Sequence, residues 1–486
     1  MKRLSNELIG NRIERPIKVV QFGDGNFLRG FVDWVLQKLN DAEIYETDVA
    51  VVKPRSGEFN EDLLAQDGLY TFIEEGVQDG VFTATTQIID VLRQFVNPYA
   101  DYQAYLKLAE VDTLEFVFSN TTESGIVLDV SDRIDNSPPK TFPGKLLAFL
   151  YHRYQTFNGA SDKGLFIVPC ELIDDNGDEL YACVKRLAEA HGLEAEFVTW
   201  LSEANTFTNT LVDRIVPGYP TEREAELTEG LGYVDKRMVM GEVFHLWVIE
   251  DRNGIGKVLD GAKIGLNMIF TEDIKPYKIQ KVRILNGLHT LMVPVAYLAG
   301  INTVGDAMKD DLILKFIKRA TDLEIVPATE GYLSKEALVE FAEGVYDRFS
   351  NPQIHHELLS ISLNSTAKFK SRLLPTALDY VKARGKFPAH IAFSLASMLV
   401  FFKGYRGEEA INLQDEPQFL EFYGSVWSRY HDEKLDIHDV VTEFLGLVTH
   451  WEQDLNEIDG LTAQVADAVE SILVDGMRAA LTKFML

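Results

Sequence analysis

Cysteine is nearly absent. Only Cys170 and Cys183 occur in 486 residues, which excludes a disulfide framework and fits a reducing compartment. Long apolar runs are missing too. The most apolar stretch, Ile391 to Phe402, contains serines and falls well short of the roughly 20 residues that span a bilayer. The start, MKRLSNELIGNRIERP, holds no apolar core of signal-peptide length. Together these absences predict a cytoplasmic protein. Basic residues are in deficit: 47 Lys and Arg stand against 75 Asp and Glu, a formal net charge of -28. That balance argues against nucleic acid and against anionic membrane surfaces as partners. It leaves a small anionic substrate open, because such a ligand responds to local cations.

Several catalytic signatures are also missing. There is no C-x-x-C pair, no Walker A loop and no G-x-S-x-G. His355-His356-Glu357 lacks the spaced second histidine of a zinc helix, and no Cys/His/Glu set has zinc-ligand spacing, so no metal is expected. Cys170 reads as a small buried hydrophobe, since no histidine adjoins it. No internal repeat or low-complexity segment stands out.

What is present is an ordinary globular composition, 46% hydrophobic and 25% charged, with length for two or three domains. Ile17 to Phe22 (IKVVQF) is a buried-strand run, followed by GDGNFLRGF and then a helical pattern through Phe31, Trp34, Val35 and Leu39. Strand, glycine turn, helix is the layout of a nucleotide-binding βα unit. Gly23 would permit the tight turn, and Gly25 would let backbone approach a pyrophosphate. Leu28 replaces the third glycine of G-x-G-x-x-G, with Arg29 and Gly30 next.

A second strand, Asp48 to Val52, ends in Lys53-Pro54-Arg55. The acid that commonly takes ribose hydroxyls there is missing, so residue chemistry leaves NAD against NADP open. Further strands are expected at Tyr70 to Glu74, Phe82 to Ile89, Leu114 to Ser119, Gly164 to Pro169 and Val243 to Glu250. Asn120 to Gly125 is a polar run after a strand, where parallel sheets bind ligands. Asn176-Gly177 reads as a turn, Pro220 to Met240 as an acidic loop, and Asp213-Arg214 as a candidate internal ion pair.

From Lys275 the periodicity is helical almost to the end. The fold class is therefore an α/β N-terminal Rossmann-type domain, residues 1–270, with a mostly α-helical C-terminal domain, residues 271–486. Candidate helices include Ile354 to Leu363 and a final one, Leu461 to Phe484, with a single apolar stripe. The stretch Lys275 to Leu298 reads as a short lead-in and a long helix. At about 100° per residue, Lys281, Asn286 and His289 fall within roughly 140° of its circumference. A lysine, an amide and an imidazole facing one cleft suit metal-independent polyol or ketose oxidoreduction. The lysine exchanges a proton with the substrate oxygen, the amide polarises that oxygen and the histidine orients the substrate. Lys368, Lys370 and Arg372 cluster at alternating positions, where they could hold a substrate carboxylate.

These separated motifs resemble the polyol-specific long-chain dehydrogenases, the mannitol dehydrogenase family. GDGNFLRGF is similar to that family's G-x-G-N-F-x-R cofactor loop. NTLVDRIVP, Asn209 to Pro217, resembles its N-S-M-V-D-R-I-T-P segment, and Lys281, Asn286 and His289 match its K-x4-N-x2-H signature. FVFSNTTESGI, PCELIDDNGD and HWEQDL extend the likeness. The resemblance implies a dehydrogenase that uses NAD. Its cofactor would lie along Val19, Val20, Gln21, Phe22, Gly23, Asp24, Gly25, Asn26, Phe27, Leu28, Arg29 and Gly30, with Asn120. It implies Lys281 as general acid/base, Asn286 and Asn209 as polarising amides, and His289 as a substrate-positioning group. Lys368 falls where the family has a substrate-binding arginine, and Lys278 where it has a glutamate. With Arg372, these cations point to a sugar acid rather than a neutral polyol. A neutral-polyol member, another uronate reductase and a cofactor-binding sensor without turnover stay open as alternatives, as does the oligomeric state.

Overall fold

Six short runs form one parallel sheet: β1 Ile17–Phe22, β2 Asp48–Val52, β3 Leu92–Val96, β4 Phe116–Ser119, β5 Phe166–Pro169 and β6 Thr206–Phe207. In the computed structural model, which describes every residue but Asn11 and Glu123, their order is β3-β2-β1-β4-β5-β6. Val19 lies in register between Val49 and Phe116, and Phe22 between Val52 and Ser119. Alternate side chains enter opposite cores. Val19 packs in a cluster with Phe31, Trp34 and Trp247. Val20 and Phe22 pack in another with Tyr105, Phe149 and Leu180. Burial on both faces explains why β1 and β2 read as largely apolar, β-branched runs. The strand order is that of two mononucleotide-binding halves, and it reverses between β1 and β4. The N-terminal fold is thus Rossmann-type.

Two three-stranded sheets accompany it. One orders Val239–Glu242, Tyr70–Gln78 and Val81–Ile89; the other orders Met268–Thr271, Leu246–Glu250 and Thr210–Asp213. Contacts divide the chain into one unit of residues 1–75 and 83–274 and a second of residues 76–82 and 275–486. The hairpin tip at 76–82 therefore groups with the helical unit, where the Gly80 N–H donates to the Asp347 carboxylate at 3.2 Å.

Several local expectations need correction. β3 and the strands from 206 to 213 were not expected. Asn176-Gly177 is no turn: it opens the helix Asn176–Ala190. The preceding Asp175 is left-handed (φ 51°) and makes the bend itself. The acidic loop contains the helix Glu224–Leu231 and ends in the strand Val239–Glu242. Arg214 pairs with Glu74, sandwiched by Trp34 and Phe72 with its guanidinium carbon 4.1 and 4.6 Å from their ring centres.

The second unit is mostly helical. At its centre Gly287–Leu298 packs against Ala389–Phe401, and the Ser394 hydroxyl donates to the Leu291 carbonyl at 2.8 Å. Only Leu358–Ile361 is α-helical within the expected 354–363 span. The expected final helix is two, Leu461–Asp475 and Met477–Phe484, because Gly476 between them is extended with φ 79°. Among the described residues, no helix is long and apolar enough to cross a membrane.

Candidate active site

The nucleotide end of the first unit lies where the strand order reverses. β1 runs into Gly23, whose φ of 117° only glycine adopts comfortably. Its N–H donates to the Val52 carbonyl at 3.0 Å, and Gln21 Nε2 donates to its carbonyl at 3.1 Å. Gly25 then caps the short helix Asn26–Gly30, and a side-chain carbon there would meet nothing within 4 Å. Open space beside Gly25, at the end of β1, fits the approach of a dinucleotide's phosphates to the backbone.

The expected cofactor residues divide into two groups. Asp24, Gly25, Asn26 and Phe27 are partly or fully exposed, so these can meet a ligand. Val19, Val20, Phe22 and Leu28 have their side chains in the cores and shape the loop from beneath. Arg29 also belongs beneath it, 1% exposed. It donates to the Asp24 carbonyl (3.2 Å), the Asn26 amide oxygen (2.8 Å) and the Arg237 carbonyl (2.8 Å). With burial and these partners, its charge is committed to holding the loop. Burial lowers its pKa to about 10. Gly30 meets the close-packing need normally served by a third motif glycine: a side-chain carbon there would lie 2.7 Å from Val216.

Under Arg29 sits Asp33, fully buried, whose pKa burial raises to about 7. At the end of β4, Asn120 Nδ2 donates to the Cys170 carbonyl at 2.7 Å. The buried Glu171 accepts from the Thr121 N–H (2.8 Å), the Thr121 hydroxyl (2.9 Å) and the Ser119 hydroxyl (3.0 Å). No sequence signal pointed to Glu171 or Asp33. Beyond β2, Lys53 pairs with Asp24 at 3.4 Å, and Arg55 donates to the Thr121 carbonyl and the Thr122 hydroxyl, both at 3.2 Å. Glu123, in the expected polar run, lies outside the described residues. Cys170 is buried, and burial pushes its thiol pKa up.

In the second unit the Lys275–Leu298 stretch is not one α-helix. It is α over Lys275–Gln280, π over Lys281–Asn286 and α again over Gly287–Leu298. The Gly287 N–H reaches the Val282 carbonyl, five residues back. This changes the expected angle. An i→i+5 ladder stacks residues five apart along the axis, so Lys281 and Asn286 share one side more closely than in an α-helix. His289 follows three residues later on the same face. Lys281, Asn286 and His289 are each partly buried.

The His289 ring lies over Phe349 with centroids 4.2 Å apart and meets His356 edge-on at 5.3 Å. Its Nε2 is sealed from solvent and has no hydrogen-bond partner. Burial first, then His356, Arg348, Arg372 and Lys368, hold its pKa well below the ordinary histidine value. The ring is therefore neutral at pH 7.

The basic cluster also differs from its sequence reading. Ser365–Arg372 is helical, so Lys368 and Arg372, four apart, share a face. Lys370 lies elsewhere and pairs with Glu452 at 2.8 Å. Lys368 Nζ donates to the Ile361 carbonyl at 2.8 Å. Arg372 donates to the Thr290 hydroxyl at 3.3 Å, and that hydroxyl donates to the Asn286 carbonyl at 3.0 Å. Burial lowers the pKa of both cations, and Arg372 lowers that of Lys368 further. Lys278 is half-buried on the same rod.

Asn209 belongs to the first unit and is 3% exposed. Its oxygen accepts from the Gly177 and Asp178 N–H groups at 3.0 and 3.1 Å. Its nitrogen donates to the Asp178 and Glu250 carboxylates, both at 2.9 Å. An asparagine side chain has two donors and two acceptor positions, and all four are used. In this arrangement Asn209 ties the start of the helix Asn176–Ala190 to Glu250.

A Rossmann-type unit joined in one chain to a helical unit that presents a lysine, an amide and a neutral imidazole defines a dehydrogenase. Family models place it further. One, described as the mannitol dehydrogenase Rossmann domain, matches residues 17–260, and another, the mannitol dehydrogenase C-terminal domain, matches residues 273–473. The chain belongs to the mannitol dehydrogenase family and is an oxidoreductase acting on a CH–OH group. It is 44% identical over 486 residues to the altronate oxidoreductase of Bacillus subtilis (strain 168), covering 100% of this chain and 99% of the relative. It is 43% identical over 466 residues to that of Enterobacter sp. (strain 638), covering 96% of each. Among solved structures, substrate-free D-sorbitol dehydrogenase shares the fold at TM-score 0.79 and 24% identity, covering 96% of this chain and 95% of that one. The Pseudomonas fluorescens mannitol 2-dehydrogenase ternary complex with NAD and D-mannitol does so at 0.65 and 22%, covering 97% and 95%.

Proposed function

We propose that the protein is an NAD-dependent, metal-independent oxidoreductase that interconverts D-tagaturonate and D-altronate, a step of hexuronate breakdown. The observation that carries this reading is the basic cluster beside His289: Lys368 and Arg372 share one helix face, and Arg372 is bonded through the Thr290 hydroxyl to the Asn286 carbonyl, within a chain of net charge -28. Such a cluster suits a sugar that carries a carboxylate. The near-full-length likeness to altronate oxidoreductases supports the same substrate.

NAD is the cofactor. Gly23, Asp24, Gly25 and Asn26, with Asn120, would hold it; when bound it donates or accepts a hydride at the substrate carbon. The Lys53 ammonium faces Asp24 and Arg55 faces the Thr121 carbonyl. Neither is kept in reserve for a 2′-phosphate, which supports NAD over NADP.

Lys281 handles the proton. In reduction its ammonium gives a proton to the substrate oxygen as the carbonyl becomes an alkoxide; in oxidation the neutral amine takes it back. The Asn286 amide N–H polarises the same oxygen and stabilises its developing charge. His289, neutral, orients the sugar by hydrogen bonding. Lys368, Arg372 and Lys278 hold the carboxylate.

The test is NADH oxidation by chelator-treated protein on tagaturonate, fructuronate and fructose in parallel, with NADPH as control. Turnover on tagaturonate with NADH is expected. Preference for fructuronate would reassign the stereoisomer, and preference for fructose would refute the carboxylate reading. NADH binding without turnover of any ketose would favour a sensor.

A further inference from the structure

His355-His356-Glu357 was set aside as a metal motif, but the fold gives His356 a second placement. Its carbonyl accepts from the Val304 N–H at 2.9 Å and its N–H donates to the Ile354 carbonyl at 3.1 Å. Just beyond it, the Leu358 N–H donates to the Asn302 carbonyl at 2.8 Å, and Glu357 bridges to Thr303. The segment is thus pinned by an isolated bridge and these backbone bonds, and presents one imidazole from a fixed backbone. That ring stands edge-on to His289, half-buried, with Lys368 close enough to act on its charge.

The surroundings select the ligand. His289 and His356 share Lys368 as a neighbour, and His289 also feels Arg348 and Arg372. The acid felt by Lys368 is Asp415, whose oxygens already accept from the Thr366 N–H and hydroxyl and from the Glu416 N–H. Two neutral imidazoles among these cations make a poor site for a cation and a good one for an anion with several acceptor oxygens.

We propose that His356 determines specificity for the acid substrate: with Lys368 and Arg372 it forms the seat of the substrate's carboxylate, beside the hydroxyl-reading His289. This rests on the sugar-acid reading above and extends it to a residue outside the Lys-Asn-His signature. A neutral imidazole donates one N–H to the carboxylate, and the anion's charge opposes the burial and the Lys368 charge that keep the ring neutral. The bond then strengthens toward a charge-assisted one.

The experiment compares wild type, His356→Gln and His356→Ala on tagaturonate and fructose, with NADH affinity and melting temperature as controls. Loss of a hydrogen bond to a charged group is expected to raise KM for the acid about 10- to 100-fold. Both kcat on the acid and NADH affinity should be preserved, as should KM for fructose. Equal effects on acid and neutral ketose, or none on either, would overturn the assignment while the sugar-acid reading stood. A wild type with no preference for the acid would overturn both. Wild-type protein gives an independent readout that needs no variant. Altronate, and not mannitol, should protect His356 from diethyl pyrocarbonate, as read by peptide mapping; absence of that protection would overturn the assignment.

Discussion

Asp33 offers the sharpest test of the physical account. It is fully buried beneath the cofactor loop, and its carboxyl accepts from Tyr70 Oη at 3.2 Å and Gln21 Nε2 at 3.5 Å. One oxygen, Oδ1, has no partner. These bonds and nearby Arg29 favour the charged form, but burial outweighs them and raises the pKa from 3.8 to about 7. The folded protein therefore holds one more proton than the unfolded chain between about pH 4 and 7. Stability from this group is full below the unfolded value, declines as pH rises through the window and levels off above the folded value. At ~1.4 kcal/mol per pH unit, the whole window is worth about 4 kcal/mol. Asp33→Asn removes the titration and nearly keeps the shape. Urea unfolding of both proteins at pH 5, 6, 7 and 8, followed by tryptophan fluorescence, isolates the term, because other titrations cancel in the difference. Relative to wild type, the variant should gain about 3 kcal/mol between pH 5 and 8. A difference that stays constant over that range would refute the reasoning and mean that Arg29 compensates the buried charge.

Two further substitutions separate chemistry from scaffolding. Lys281→Ala should keep NADH affinity, measured by fluorescence titration, and lose turnover by about 100-fold or more, the usual worth of a positioned acid/base; unchanged turnover would remove the lysine mechanism. Asn209→Ala strips the partner from the buried Gly177 N–H and from the Asp178 N–H and should cost about 1–3 kcal/mol in denaturant unfolding, while folded protein at saturating cofactor and substrate keeps most of its kcat.

How much of this was legible follows from what each element needs. β1 and β2 are buried on both faces and announce themselves as apolar runs. β3, LRQFV, does not. It is an edge strand, and its Arg93 is satisfied by the Asp48 carboxylate at 2.7 Å, so a charge stands where sequence reasoning expects none. The break at Gly476 was hidden by an apolar stripe that continues past it. For the candidate site, residue types and spacing drew attention to Lys281, Asn286 and His289, and the family likeness supplied their expected roles. The π ladder left no mark, because a five-residue hydrogen bond needs no special composition. Lys368 and Arg372 were found by charge, but their shared face required the helix. His356 was visible only as a failed zinc motif. Asn209 was found by a motif position, but its bracing of a helix start against Glu250 left no mark in the sequence.

The π segment also acts as a spacer that leaves alignment intact. In a plain α rod one added residue would turn everything beyond it by about 100°. Here a hydrogen bond that reaches one residue further back takes up the extra residue, and His289 keeps its place relative to Lys281. Loss of one residue between Lys281 and Asn286 would let the turn return to α with the downstream faces close to their present azimuth, so length in this turn is exchangeable where elsewhere along the rod it is not.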